Sequence, residues 1–162
     1  MDDGEVMDIR TAIEADLPRM VAIAETKHIE YEEYSPIFWR KASDSVPKQE
    51  VYFQHLLTRT DVIALVAEAG DTLSGFIIGA ITTAPPVYNP GGSVCIVDDF
   101  AVANPEDWDS VGAALLAAVE REAKARGAVL SVVVCAQRDQ AKRELLQKAG
   151  LTVASEWHVK PL

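Results

Sequence analysis

The apolar positions of the chain follow two periods, which divide it into alternating strands and helices. Apolar, partly β-branched runs of strand length occur at 7–12, 62–68, 73–82, 94–102, 128–136 and 151–159. Apolar residues at helical spacing occur at 14–28, 47–58, 111–126 and 139–149. The predicted order is therefore β-α-α-β-β-β-α-β-α-β. It indicates one α/β domain over residues 7–162, preceded by a flexible acidic tail at 1–6.

The stretch from Val94 to Leu116 carries the clearest chemical signal. Its strand ends in a polar turn through Asn104 and Pro105, and a helix follows directly. The first turn of a helix leaves backbone N–H groups without intrahelical partners, and these groups, together with the helix dipole, bind anions. The stretch therefore predicts a site for the pyrophosphate group of a cofactor.

Three other segments have a predicted place in the fold. The strand at 128–136 is apolar at nearly every position, which is typical of a strand buried on both faces and predicts a central place in the sheet. Gly70 and Asp71 predict a hairpin turn. The proline-rich loop 84–92 is expected to present Tyr88 at its tip.

Composition and charge make some classes of ligand and location less favourable than others. The 162 residues carry a net charge of −10, which disfavours nucleic acid and acidic membranes and favours a cationic substrate. Cys95 and Cys135 lie in apolar runs without metal-ligand spacing, which predicts buried free thiols and no metal site. The acidic N-terminus does not resemble a signal peptide, and no apolar run is long enough to span a bilayer. These features predict a cytoplasmic protein.

The element order and four short motifs together resemble the GNAT superfamily of acetyl-CoA-dependent N-acetyltransferases, over essentially the whole chain. The motifs correspond to the family's hairpin, the end of its fourth strand, the start of its third helix and its last helix. They are VAEAGDTLSGFIIG at 66–79, FAV at 100–102, GAALL at 112–116 and AKRELLQKAGL at 141–151. The resemblance implies a mixed, mostly antiparallel central sheet flanked by about four helices.

The same resemblance implies an enzyme, an acyltransferase that moves an acetyl group from acetyl-CoA to a primary amine of a small molecule or peptide. A homodimer is a further expectation. It implies a set of cofactor-binding residues, from the fourth strand, the third helix and the last helix. They are Phe100, Ala101, Val102, Asp107, Ser110, Val111, Gly112, Ala113, Asp139, Lys142 and Arg143.

The chain departs from the family at the pyrophosphate turn, where relatives have Arg or Gln followed by two small residues at set spacing. Depending on the register, this first position holds Asp107 or Asp109, so a carboxylate stands in either case. Asp109 or Ser110 is also a candidate N-cap for the helix. The basic residues of the last helix, Arg138, Lys142 and Arg143, either offset this negative charge or form a solvated helix face.

Asp98 and Asp99 are the candidate catalytic bases, because two carboxylates inside an apolar strand are costly to bury. Strand alternation puts Asp98 on the side of Phe100 and Val102, and Asp99 on the side of Val97 and Ala101, which favours Asp98. The alternative interpretation is a pair of residues hydrogen-bonded to loops near the strand end.

Aromatic side chains that bind cations are candidates for holding the acceptor amine. The predicted substrate-binding residues are Tyr31, Tyr34, Tyr88 and His158. Leu146 occupies the position of the family's usual acid, a tyrosine, so the sequence leaves the proton donor and the acceptor open. The alternative function is a GNAT-fold protein that has lost catalysis and binds a ligand or partner.

Overall fold

The computed structural model describes residues 6–162 as a five-stranded sheet with helices on both faces. The strands are β1 (Asp8–Thr11), β2 (Val62–Ala69), β3 (Thr72–Thr82), β4 (Ser93–Val102) and β5 (Ala128–Val133). The helices are α1 (Leu17–Tyr34), α2 (Ser45–Leu57), α3 (Val111–Ala125) and α4 (Gln140–Lys148). The predicted mixed α/β class is confirmed. Of the predicted tail at 1–6, only Val6 lies within the described residues.

The strands follow one another across the sheet in chain order. The first four are antiparallel, and β5 pairs with β4 in parallel. The predicted hairpin joins β2 to β3, where Ala69 pairs with Thr72 and Gly70 takes a φ of 58°. Glycine suits this turn because it adopts positive φ without a steric penalty from Cβ.

Each face of the sheet carries its own apolar core. On one face, Leu115 and Val119 of α3 pack with Ile77 and Val97 of the sheet. On the other, Met20 of α1, Phe53 of α2 and Phe76 of β3 are fully buried in a second cluster. Burial of each such side chain contributes about 1.5–3 kcal/mol. The two cores hold α3 and α4 on one side of β4 and hold α1 and α2 on the other.

The position of β5 differs from the prediction. β5 lies at an edge of the sheet, so the central place predicted from its apolar composition is wrong. Its side chains Val129, Leu130 and Val132 are exposed. The apolar composition of a strand shows that both of its faces are able to be buried. Which strands pair with it depends on the topology of the whole chain.

The predicted final strand at 151–159 is also wrong. The N–H of Leu151 donates to the carbonyl of Leu146, and beyond it no backbone hydrogen bond joins residues 152–162 to the rest of the described chain. Trp157 is largely exposed and packs edge-on against Phe38, with ring centroids 5.9 Å apart. Alternation favours extended backbone, but a strand needs a partner as well.

Helix α1 extends six residues beyond its predicted end at His28 and reaches Tyr34. It ends there because Pro36 disfavours the helical conformation at Ser35. The extension brings Tyr31 and Tyr34, expected in an irregular segment, onto the helix that runs beside β4.

Candidate active site in the gap between the fourth and fifth strands

The candidate site lies where two parallel strands part. β4 and β5 pair from Ser93 and Ala128 to Val97 and Val133, and the N–H of Val134 then donates to the carbonyl of Val97. β4 continues to Val102 without a partner on this side. Unpaired strand backbone presents N–H and C=O groups to whatever enters the gap. Side chains reach this gap from α1 on one face and from α4 on the other.

A β-bulge precedes the unpaired part of β4. Asp99 pairs with Ile78 and Val97 pairs with Gly79, so Asp98 is the extra residue. The bulge breaks the alternation: Val97 lies in the same core as Phe100, whereas Ala101 lies in the other. The predicted strand phase, which placed Val97 and Ala101 on one side, is therefore wrong, and it supplies no reason to prefer Asp98 over Asp99.

The two aspartates occupy different environments. Asp98 is exposed, whereas Asp99 is partly buried. Burial, and to a smaller extent the charge of Asp98, raise the pKa of Asp99 to about 6 against the opposing effect of the Lys142 ammonium. Burial is the main cause that raises the pKa of Tyr52, and the charges of Asp99 and Asp98 raise it as well. Both carboxylates therefore lie near α2. A carboxylate with a pKa close to neutrality suits a general base.

A buried ion pair connects α1 to the start of α4 across the gap. Lys27 Nζ lies 3.1 Å from Asp139 Oδ2, and the Tyr31 hydroxyl donates to the same oxygen at 2.9 Å. Burial alone would lower the pKa of Lys27, but its hydrogen bond to Glu30 and the charge of Asp139 outweigh burial and raise it. Burial and the Asp139 charge raise the pKa of Tyr31, so its phenol stays protonated.

Lys142 of α4 is the second cation in the gap, and it is only 3% exposed. Its Nζ donates to the carbonyl of Phe100 at 3.2 Å, on the unpaired part of β4. Within residues 6–162 it forms no salt bridge. Burial lowers the pKa of Lys142. The predicted alternative of a solvated helix face is therefore wrong for Lys142.

Trp108 closes the gap on the side of α3. It belongs to a 3-10 turn, Pro105–Asp109, and its buried ring packs edge-on against Phe100 at 4.9 Å. The ammonium groups of Lys27 and Lys142 lie 5.3 and 5.7 Å from its centroid, within cation–π range. The cavity beside Trp108 and Lys27 measures about 20 Å³, little more than the space that one water molecule needs.

Ser110 occupies the N-cap position of α3, one of the two residues predicted there, but no side chain makes a capping hydrogen bond. The carboxylate of Asp109 pairs with Lys148 of α4 at 2.7 Å, and Asp107 accepts from the Asn104 side-chain amide at 2.9 Å. The first α-helical bond runs from the N–H of Ala114 to the carbonyl of Ser110. The three amides before it are those an anion would bind.

Gly112 allows Trp108 to pack on the first turn of α3. A Cβ at this position would lie 2.7 Å from Trp108 Cε3 and 3.0 Å from Leu145 Cδ2. We expect Gly112→Ala to lower the free energy of unfolding by about 1–3 kcal/mol in urea denaturation, because the overpacked ring must move. Ala117→Gly at an exposed position of α3 is the control for helix propensity, which by itself favours alanine. A stabilised Gly112→Ala variant would contradict the close packing.

The structure brings together some of the predicted site residues. Phe100, Asp139, Lys142 and Tyr31 meet in the gap. Tyr34 lies next to them, with its ring centroid 5.6 Å from that of Tyr31.

Other predicted residues lie outside the gap. Tyr88 is 70% exposed on the connection between β3 and β4, and His158 is exposed on the tail. Arg143 is exposed, and its guanidinium donates to the carbonyl of Gln137 at 2.9 Å. Leu146, at the position of the family tyrosine, packs against the core on the α3 side of the sheet.

Lys27 and Trp108 were not among the residues predicted for the site. Lys27 continues the helical spacing of the buried Met20 and Ala24, so the pattern already placed it on the inner face of α1. Trp108 carried no such signal, because a single tryptophan among acidic turn residues has no periodicity.

A bulged fourth strand that parts from a parallel fifth strand, beside an uncapped helix, defines the acetyltransferase fold class. The model of the acetyltransferase (GNAT) family matches residues 23–151, and the chain belongs to this family. No curated protein sequence matches the chain.

Solved structures share this fold at low sequence identity. A predicted acetyltransferase with acetyl-CoA from Clostridium acetobutylicum is 20% identical, with a TM-score of 0.74 over 96% of each chain. The aminoglycoside N-acetyltransferase AAC(6')-Iy, in complex with CoA, is 15% identical, with a TM-score of 0.75 over 100% of this chain and 98% of its own. A mutant of the BH1408 protein from Bacillus halodurans is 13% identical, with a TM-score of 0.85 over 96% and 99%.

The described residues also bear on membrane-spanning segments and metal sites. Across residues 6–162, no helix combines the length and the apolar character needed to cross a membrane. In the same part of the chain, no group of three or more His, Cys, Asp or Glu side chains is placed to hold a metal ion.

Proposed function

We propose that this protein is an N-acetyltransferase that moves an acetyl group from acetyl-CoA to a primary amine of a small molecule or peptide. The observation that carries the proposal is the unpaired backbone of β4 directly after Asp99. Acetyl transfer needs a donor for the developing oxyanion and a base for the ammonium of the acceptor. Here a backbone N–H of β4 serves as the donor and the Asp99 carboxylate as the base.

The proposed co-substrate site extends from β4 to α3. The amides of Val111, Gly112 and Ala113 bind the pyrophosphate of acetyl-CoA, because no side chain caps them. The unpaired part of β4, from Phe100 to Val102, holds the arm that carries the thioester. The arm needs more room than the 20 Å³ cavity, so its entry displaces side chains of the gap, with Trp108 foremost among them.

The proposed acceptor is a cationic amine. The chain carries a net charge of −10, and the rings of Tyr31 and Trp39 lie 4.9 Å apart at the α1 end of the gap. Clustered aromatic faces and acidic surroundings favour a cation. The Arg138 guanidinium lies 5.5 Å from the centroid of Tyr34 and occupies one such face in the protein alone.

The acidic turn before α3 should weaken binding of acetyl-CoA. We expect Asp107→Arg to lower the Kd of acetyl-CoA about tenfold, since the change replaces a negative charge near the phosphates by a positive one. Asp109→Gln should act in the same direction and also release Lys148 from its ion pair. Isothermal titration calorimetry gives the affinities, with Asp44→Arg on the distant N-terminus of α2 as the control. Affinities that stay equal or fall in both variants would show that these carboxylates do not oppose the phosphates.

Thermal shift assays with acetyl-CoA, CoA and ATP test the proposed function directly. A ligand that binds only the folded state raises Tm, so acetyl-CoA and CoA should stabilise the protein while ATP should not. A panel of primary amines, followed by release of the CoA thiol, then tests turnover. No stabilisation by acetyl-CoA and no thiol release would refute the proposal.

The second candidate is a GNAT-fold protein without catalysis that binds a ligand or partner. The filled gap favours it, because Lys142, Trp108 and the Lys27–Asp139 pair occupy the path of the thioester arm. Leu146 at the position of the family's acid favours it as well. Stabilisation by acetyl-CoA without turnover of any amine would support this candidate over the enzyme.

The proposal includes a cytoplasmic location and a homodimer. Both cysteines are free, as in a reducing compartment. The exposed apolar side chains of the edge strand β5 offer a contact to a second copy.

A further inference from the structure

The Lys142 side chain is costly to bury as a charged ammonium. It is 3% exposed, and its only hydrogen bond among the described residues goes to a neutral carbonyl, that of Phe100. The other cation of the gap, Lys27, is partly buried and has two carboxylate partners, Asp139 and Glu30. An ammonium buried without a carboxylate is strongly destabilising unless an anion reaches it. The position therefore fits a site at which an anion arises during the work of the protein.

The charged and titratable groups around Lys142 come from every neighbouring element. They are Asp139 at the start of α4, Lys27 and Tyr31 on α1, Cys135 after β5 and Asp99 on β4. Asp139 is already bound to Lys27 and Tyr31, and burial raises the pKa of Cys135 to about 11. Asp99 acts on Lys142 through its charge, but among the described residues it accepts no hydrogen bond from the ammonium. None of the three is a bonded counter-ion, so the Lys142 ammonium remains available to a ligand.

We propose that the Lys142 ammonium is the counter-ion of the departing thiolate of CoA and stabilises it as the C–S bond breaks; this inference rests on the proposed function. The geometry assigns the role, because the ammonium donates to the carbonyl of Phe100, inside the unpaired part of β4 where the thioester binds. One helical turn separates Lys142 from Leu146, so the same helix supplies a cation one turn before the position of the family's acid.

The acceptor ammonium first loses one proton to Asp99 or water, and its nitrogen then forms a bond to the acetyl carbon. The C–S bond breaks with its electron pair on sulfur, and the nitrogen loses its second proton to solvent. The thiolate pairs with the Lys142 ammonium and takes up one proton from solvent on release. The products are the acetylated amine, the CoA thiol and one proton.

The test measures the ionisation of the bound CoA thiol, so it needs no acceptor. The protein is saturated with CoA, and thiolate formation is followed by ultraviolet absorbance against pH. In the parent, the thiol pKa should lie at least about one unit below its ordinary value of about 8.5. In Lys142→Met it should return to that value or rise above it. Lys142→Arg should keep the lowered thiol pKa, because its cation remains.

Affinity provides a second readout. The parent should bind CoA about tenfold more tightly than desulfo-CoA at a pH where the thiolate forms, and Lys142→Met should bind both equally. Lys48→Met, on the exposed side of α2, is the control and should match the parent. Lys142→Met should also fold well, since replacing a buried charge by an apolar side chain of similar shape is tolerated.

The results distinguish a failure of the Lys142 role from a failure of the proposed function. A thiol pKa that is the same in the parent and in Lys142→Met, with CoA bound to both, overturns the role of Lys142 and leaves the proposed function standing. Failure of the parent itself to bind CoA overturns the proposed function, and the role of Lys142 falls with it. Once an acceptor is identified, transfer by Lys142→Met should be slowed about tenfold or more, because no cation then stabilises the thiolate, whereas Lys142→Arg should retain most of the parent rate. Unimpaired transfer by Lys142→Met would also overturn the role.

Discussion

Asp99→Asn should lower kcat/KM for acetyl transfer by about a hundredfold or more, because an amide cannot accept the proton of the acceptor ammonium. Asp98→Asn, on the exposed bulge residue, should cost less than tenfold and is the matched control. Strand alternation favoured Asp98, whereas the burial and raised pKa of Asp99 lead us to expect the opposite order. Initial rates over a range of pH provide the measurement, and kcat/KM of the parent should rise as pH passes through about 6. A larger loss in Asp98→Asn would refute the assignment.

Asp99→Asn should also be more stable than the parent near neutral pH. Burial raises the pKa of Asp99 to about 6 from an ordinary value of about 3.9, so the native state binds more protons than the unfolded state between these values. The free energy of unfolding therefore falls as pH rises through this window, by up to about 3 kcal/mol. Asparagine lacks this penalty. Urea denaturation should show stabilisation at about pH 7.5 and almost none at about pH 4, and the opposite pH trend would contradict the burial of Asp99.

Asp139→Asn should lower the free energy of unfolding by about 3–5 kcal/mol. The change leaves the Lys27 ammonium in the gap without its buried partner, and it weakens the acceptor of the Tyr31 hydroxyl. Asparagine keeps an oxygen for the N–H of Lys142, so the cap of α4 is retained and the loss reports mainly the charge. Urea denaturation at neutral pH measures the difference.

Asp109→Asn is the matched control, because it removes a carboxylate from a lysine pair on the surface. The Asp109–Lys148 pair has side chains that are more than half exposed, and its loss should cost at most about 1 kcal/mol. In a double-mutant cycle, Lys27→Met should recover part of the stability lost in Asp139→Asn, since the unpaired charge is then absent. Equal losses in Asp139→Asn and Asp109→Asn would contradict the buried pair.

Local sequence patterns predicted most of the elements, because their signals lie within a few residues. The helical period located α3 and α4, and Gly70 with Asp71 located the hairpin. Partners distant in sequence left no such signal. The apolar composition of β5 therefore suggested a central strand, and the alternation at 151–159 suggested a strand that finds no partner.

The elements of the candidate site could be predicted from the sequence, but the packing of its side chains could not. The strand, the turn and the helix that follows it pointed to β4 and α3, and the two aspartates stood out in an apolar run. The bulge at Asp98 inserts one residue into the register of β4. The sheet face that alternation predicts for each residue beyond the bulge is therefore the opposite one. Lys142 required the packing of α4 against β4, because a lysine between helix residues looks the same in sequence whether it is buried or solvated.

The register of β1 has a consequence for how the chain is made. β1 pairs with β2 through Asp8 with Glu68 and Thr11 with Leu65, with both α1 and α2 between them in sequence, whereas β2 and β3 are joined by a tight turn. Closing such a long loop is entropically costly, so the β2–β3 hairpin forms early and β1 joins late. During synthesis, β1 leaves the ribosome before β2 and has to wait for it. Until then, the apolar faces of α1 and α2, with Met20 and Phe53, have no sheet to cover them, and this interval is when the nascent chain is most exposed to aggregation.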